Sequence, residues 1–278
     1  MLDLTITQEQ FEHILPVFQS PTEHLFERLA HEIAVATEEI HLLVQDHADD
    51  SRHQESISQE ARAYICCQAA RRTLPQLDLV LTETGFGVVS NNNVVPASQA
   101  RVAALDESLR RTTSKAYDTL LLLLLRTSWC ETAEACAKVT ALLWLPVHAR
   151  RHGVQLEGKP IYQEEFHTLR PIIANAESKL QEIISPELYE YLLEQERTAQ
   201  YSMKPTLQLL INQARLLIVV LMQEAPHSAS VRSLVKKLLL TLEKHKDDLP
   251  EYTSSLTYEA HHLPPYENKK TDTIFFFS

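Results

Sequence analysis

TETGFGVVSNNNVVPAS, Thr82 to Ser98, holds Gly85 and Gly87, two of only four glycines in the chain. Residues that reach positive φ at little cost are therefore concentrated in one place. Leu77 to Thr82 is largely apolar and β-branched, Glu83 to Gly87 offers a turn, and Phe86-Gly87-Val88-Val89 returns as an extended run. Asn91, Asn92 and Asn93 tolerate left-handed backbone, Pro96 pushes Val95 extended, and Ser98 can cap a following helix. The stretch predicts a small β ribbon leading into a long helix. Two strands alone are marginal in water, so the ribbon has to pack on helices or pair with another strand.

Outside this stretch the composition is that of a helical protein. The chain has 278 residues, 44% of them apolar, which is enough for a sizeable core. With Gly 4 and Pro 13, glycine-rich phosphate loops and sandwich hairpins lack their material. A formal charge of -11 opposes sequence-specific binding of nucleic acid, which needs clustered Lys and Arg. The basic groups Arg71-Arg72, Arg150-Arg151 and Lys244-His245-Lys246 fall near predicted helix C-termini, where cations complement the macrodipole. The N-terminal MLDLTITQEQ has neither a basic start nor an apolar core, and the apolar run Leu120 to Leu125 is far short of the roughly 18–20 residues of a membrane span. Cys66, Cys67, Cys130 and Cys136 form no CxxC pair and read as reduced core thiols. A cytoplasmic setting without membrane contact is expected.

Caps announce several helices. Ser20-Pro21-Thr22-Glu23 combines an N-cap, a proline at N1 and a capping-box glutamate. The helix it opens, about 21–45, carries Leu25, Leu29, Ile33, Ala36, Ile40 and Leu43 on one stripe. Thr7 with Gln10 and Ser128 with Glu131 predict helices near 8–15 and 129–144, and Ser185-Pro186-Glu187 predicts one over 186–200. Periodicity adds helices at about 55–74, 98–126, 162–183, 205–224 and 229–247, and the polar segment 47–56 reads as a loop. The fold class is mainly α, a helical bundle with a small β ribbon.

The C-terminal TDTIFFFS, residues 271–278, shares a Thr-acid-Thr start, an aromatic and a closing Ser with TETGFGVVS. SPTEHLFERL at 20–29 and SPELYEYLLE at 185–194 also resemble each other. The chain then forms one helical domain, 1–278; the paired motifs also divide it into two diverged halves, about 1–95 and 155–278, around a central helical hairpin at 98–150. An apolar terminal strand would be exposed unless it pairs, either with the ribbon or with a partner.

The block TGFGVVSNNNVVPASQARVAAL, residues 84–105, resembles the signature of an uncharacterised family of helical proteins encoded near capsid genes in Bacteroidetes phages and prophages. The residues that carry the likeness are Gly85, Phe86, Val88, Val89, Asn91, Asn93, Pro96, Ala97, Ser98 and Arg101. The resemblance implies a virion structural protein, a head-tail connector at the portal that works by contact with other virion proteins, the portal and tail-completion proteins among them. It further implies a homo-oligomeric ring in the particle and residence in the host cytoplasm during assembly. It brings no catalytic residue and no cofactor. Gly85, Phe86, Gly87, Asn91, Asn93, Pro96, Ile274, Phe275, Phe276 and Phe277 become the candidate assembly residues.

Two other classes compete with that expectation. A cytoplasmic helical adaptor unrelated to virions fits the same composition. A di-metal helical-bundle enzyme would need inward-facing Glu-x-x-His pairs, and Glu38/His41, Glu164/His167 and Glu259/His262 have that spacing. With Ile40 and Phe166 at the centres of their buried stripes, the first two pairs lie about 100° to 160° away from the core. His47, Asp49, Asp50 and His53 read as a solvated loop, and no G-x-S-x-G, H-E-x-x-H, P-loop or GxGxxG is present.

Overall fold

The computed structural model describes residues 2–18, 24–44, 53–76, 79–82, 85–88, 99–198 and 203–263. Among these are α1 (Gln8–Ile14), α2 (His24–Val44), α3 (Gln54–Thr73), β1 (Leu79–Thr82), β2 (Gly85–Val88), α4 (Gln99–Leu124), α5 (Ala133–Lys138) and α6 (Pro146–Arg151). They continue with β3 (Gln155–Leu156), β4 (Lys159–Pro160), α7 (Gln163–Ile184), α8 (Pro186–Thr198), α9 (Pro205–Gln223), α10 (Ala229–Lys244), α11 (Pro250–Thr253) and α12 (Leu256–His262). The architecture is mainly α with a small antiparallel ribbon, β1 against β2. The chain divides into two compact units, Met1–Arg170 with Arg197–Ser202, and Pro171–Glu196 with Met203–Ser278. The Ser20–Glu23 cap, the loop at 47–52 and the C-terminal strand lie outside the described residues.

In the first unit α3 packs against both α2 and α4. The stripe on α2 is buried at Leu29, Ile33, Ala36, Ile40 and Leu43, with Leu25 half-buried. On α3 burial runs through Ile57, Ala61, Ile65, Cys66, Cys67, Ala69 and Ala70, because two neighbours cover it from different sides and small side chains let them approach. Cys66 and Cys67 are fully buried, and desolvation pushes both thiols up to about 12, so they pack rather than react. Thr7 and Gln10 form the expected reciprocal capping box on α1, and Phe11 meets the rings of Phe18 and Phe26 edge-on at 5.9 and 6.0 Å.

The helix expected at 129–144 does not form as one piece. Thr127, not Ser128, caps a 3-10 turn at Ser128–Glu131, and Thr132 restarts the chain as the six-residue α5. Residues 139–145 then run without helix, and Leu142, Leu143, Trp144 and Leu145 are all buried. A continuous helix would expose an outer face of this apolar run; an irregular path buries every side chain. Pro146 adds its own constraint by holding Leu145 extended at φ -121 and ψ 146. Trp129, fully buried, donates its Nε1–H to the Leu43 carbonyl at 2.8 Å and so satisfies the end of α2.

The hairpin β3–β4 was not legible from periodicity. Glu157 and Gly158 turn it at φ 52 and 76, and Gly153 at φ 77 ends α6. The two glycines outside the ribbon therefore serve left-handed turn positions.

In the second unit, Ser185 alone connects α7 to α8. Its N–H donates to the Gln181 carbonyl, its Oγ accepts from Leu188 N at 3.1 Å, and its φ is 100. The expected Ser185-Pro186-Glu187 cap is realised in a left-handed residue that closes one helix and opens the next. One described helix, α9, is long and apolar enough to cross a membrane. Its Arg215 is buried and bonded to the buried Glu196 of α8 at 2.5 Å, and Leu207, Leu210, Ile211, Ala214, Leu217 and Ile218 are buried around it, the pattern of a core helix. Glu196→Ala, which leaves the guanidinium buried without this carboxylate, is expected to cost about 3–5 kcal/mol in urea unfolding, whereas Glu196→Leu with Arg215→Met recovers most of that loss.

Candidate functional site

The sequence candidates fall in two groups. Gly85, Phe86 and Gly87 lie on β2, paired with Thr82, Leu81 and Val80 of β1 in register. Asn91, Asn93, Pro96, Ile274, Phe275, Phe276 and Phe277 lie outside the described residues. Among the described residues no third strand joins β1 and β2, and a strand edge without a neighbour offers backbone N–H and C=O groups to a further strand. Arg101 sits in the first turn of α4 and is exposed.

The structure adds a cleft that sequence reasoning missed. It has a volume of about 580 Å³ and lies in the first unit, with walls from α2, α3, α4 and the start of α7. Arg71 and Arg72 end α3, the place expected from the macrodipole, yet both also reach across to other helices. Arg71 donates from Nε to Asp106 at 3.2 Å and from Nη1 to Glu164 at 2.9 Å. Arg72 donates to Glu39 at 2.7 Å, whose other oxygen accepts from the Tyr64 hydroxyl at 3.3 Å. Arg110 bonds Glu165 and lies near Glu164, with its guanidinium 4.8 Å from the centre of the Tyr162 ring. The Arg71 hydrogen bond holds the Glu164 carboxyl below its ordinary range. Glu164, one of the spaced Glu-x-x-His residues, is thus exposed but fixed by arginines, while His167 is exposed beside it.

Deeper in the same unit, Asp118 is buried on α4. It accepts from Arg150 Nη2 at 2.7 Å and from Gln163 Nε2 at 2.8 Å, and Arg150 also donates to the Ile161 carbonyl at 2.8 Å. These bonds tie α6 and the approach to α7 onto α4. Burial outweighs the arginine here and pushes the Asp118 carboxyl up to about 6. Around the cleft, Gln68 Oε1, Arg72 Nη1, Arg110 Nε and Thr113 Oγ1 are closed off by protein and find no hydrogen-bond partner among the described residues. Each such group carries a desolvation cost of about 1–3 kcal/mol. Among the described residues no three His, Cys, Asp or Glu side chains converge as metal ligands. The arrangement is a set of charge-assisted clamps between helices.

Two measurements check this electrostatic account. Because the folded Asp118 holds its proton to higher pH than the unfolded chain does, its contribution to stability is full at low pH and is lost as pH rises through about 6. Relative to wild type, Asp118→Asn is therefore expected to gain up to about 3 kcal/mol between pH 4 and pH 7 in urea titrations. A constant difference across that range would show that Asp118 ionises normally. Thr113→Val, which replaces an unpartnered hydroxyl by a methyl group of the same shape, is expected to leave stability unchanged or raise it by about 1 kcal/mol in thermal melts.

The model of a family of unknown function, DUF6712, matches residues 20–138. The match spans α2, α3, the ribbon, α4 and α5, under half of the chain, and the block at 84–105 lies inside it. No curated protein and no solved structure matches the chain.

Proposed function

We propose that the protein is a virion structural component of a phage or prophage, a head-tail connector subunit that docks at the portal by protein-protein contacts. The observation that carries the reading is the ribbon. It holds Gly85, Phe86 and Val88, the first of the residues in the 84–105 block that resemble the connector-associated signature, and no third strand joins it among the described residues. In this reading Gly85, Phe86 and Gly87 take up a strand from a neighbour, with Asn91, Asn93 and Pro96 following in sequence. The aromatic run Ile274 to Phe277, expected from the sequence to form a strand, is a second candidate for the same kind of contact. Rigid helices with a ribbon suit a subunit repeated around a closed ring, where each copy presents the same patch to the next. Portal and tail-completion proteins are the neighbours in this reading, and the protein passes through the host cytoplasm before it enters the particle.

Quantitative mass spectrometry of purified particles from producing cells tests it. A fixed copy number equal to that of the portal subunit is the expected result. Absence from particles would remove the virion role and leave a cytoplasmic helical adaptor as the reading to pursue.

A further inference from the structure

One helix in the second unit carries charge of the wrong sign for this protein. On α10, Arg232, Lys236, Lys237 and Lys244 are exposed and take part in no ion pair with a described residue, in a chain of net charge -11. The one carboxylate of α10, Glu243, is already held by Lys246 at 2.6 Å and by His262 at 3.2 Å. At 100° per residue the four cations and Leu240 fall within an arc of about 140°, and Leu240 lies near its middle. The buried stripe of Val231, Leu238 and Leu242 is on the opposite side of the helix. Leu240 is 62% exposed, so an apolar side chain stands where helical periodicity calls for a polar one, flanked by cations that pair with no described carboxylate.

Next to this face runs a groove of about 970 Å³. Val235, Leu239 and Leu240 of α10 give it an apolar wall, Ile183 of α7 lines it as well, and Lys179, Arg232 and Lys236 stand at it against Glu182 and Glu243. A single exposed leucine is ordinary on a protein surface. A leucine continuous with an apolar groove and flanked by cations without a described carboxylate partner has the chemistry of a docking surface.

We infer that this face of α10 and its groove bind an acidic amphipathic helix or strand of a partner protein, with carboxylates over Lys236, Lys237 and Lys244 and apolar side chains on Leu240 and in the groove. Charge complementarity selects an anionic partner. The apolar wall selects a protein segment over a nucleic acid, whose phosphates would engage the cations and leave Leu240 and Leu239 without a counterpart. The inference goes beyond the connector reading and stands on unit two alone, so particle composition does not bear on it.

The test uses the full chain and a fluorescent peptide of about 18 residues with Leu at i, i+3, i+4 and i+7 and Glu elsewhere, followed by anisotropy. Saturable binding is expected, weakened roughly tenfold or more by raising salt from about 50 to about 500 mM and by Lys236→Glu with Lys237→Glu. Leu240→Asn, which leaves every charge in place, is expected to weaken it roughly fivefold or more. All three positions are exposed, so circular dichroism melts should match wild type. No saturable binding, or binding indifferent to these substitutions, overturns the inference. So does a duplex DNA of about 20 base pairs that binds more tightly than the peptide and ignores Leu240→Asn, which would mark a phosphate surface. Self-association of wild type that disappears in the Lys236→Glu, Lys237→Glu variant would also overturn it, in favour of a second copy as occupant.

Discussion

The two-sided burial of α3 is the constraint on which the first unit depends. A helix covered by both α2 and α4 cannot present one apolar stripe and one wet face. It carries small or slender residues, Ala61, Cys66, Cys67, Ala69 and Ala70, where the neighbours come close. Its polar residues are then forced toward the ends and edges, where Arg71 and Arg72 find carboxylates on three other segments, Glu39, Asp106 and Glu164. The cleft beside them is a consequence of that packing, since long charged side chains bridge helices that small side chains have brought together.

Both units also keep an ion pair with a buried carboxylate, Asp118 with the half-buried Arg150 in the first and Glu196 with the buried Arg215 in the second. Desolvating two charges costs several kcal/mol per ion, and their attraction only roughly repays it, so neither pair is a strong source of net stability. What each does is fix geometry. Arg150 joins α6, the Ile161 carbonyl and α4 at one point, and Arg215 orients α9 against α8. On α10, Arg232, Lys236, Lys237 and Lys244 pair with no described carboxylate and share one face, which gives the acidic protein a surface on which an anionic partner gains contacts.

Helices with caps and a clean stripe were legible because the signals are local. Thr7 with Gln10, Ser185 with Pro186, and the three-and-four spacing on α2 each depend on residues within one or two turns. The segment 129–144 was misread for the converse reason. Ser128 and Glu131 have capping spacing, but Thr127 and Thr132 take the caps, and the apolar run to Leu145 leaves the helix to bury all its side chains. The β3–β4 turn left only Glu157-Gly158 as a signal, too short for a periodicity of two to show. The ribbon at 79–88 was found because Gly85 and Gly87 stand in a chain with almost no other glycine.

By itself the sequence determined the fold class, most helix positions, the place of the ribbon and the acidic character of the chain. All of these follow from composition and from contacts between residues close in sequence. Only the tertiary structure decided what the charged residues do. Whether Arg71 serves its own helix terminus or bridges to Glu164, whether Asp118 is solvated or buried with Arg150, and whether Lys236 and Lys237 find carboxylates depend on which helices lie side by side. Coulomb energy and desolvation act through space with little regard for sequence separation, so these outcomes are written in the packing and not in any local pattern.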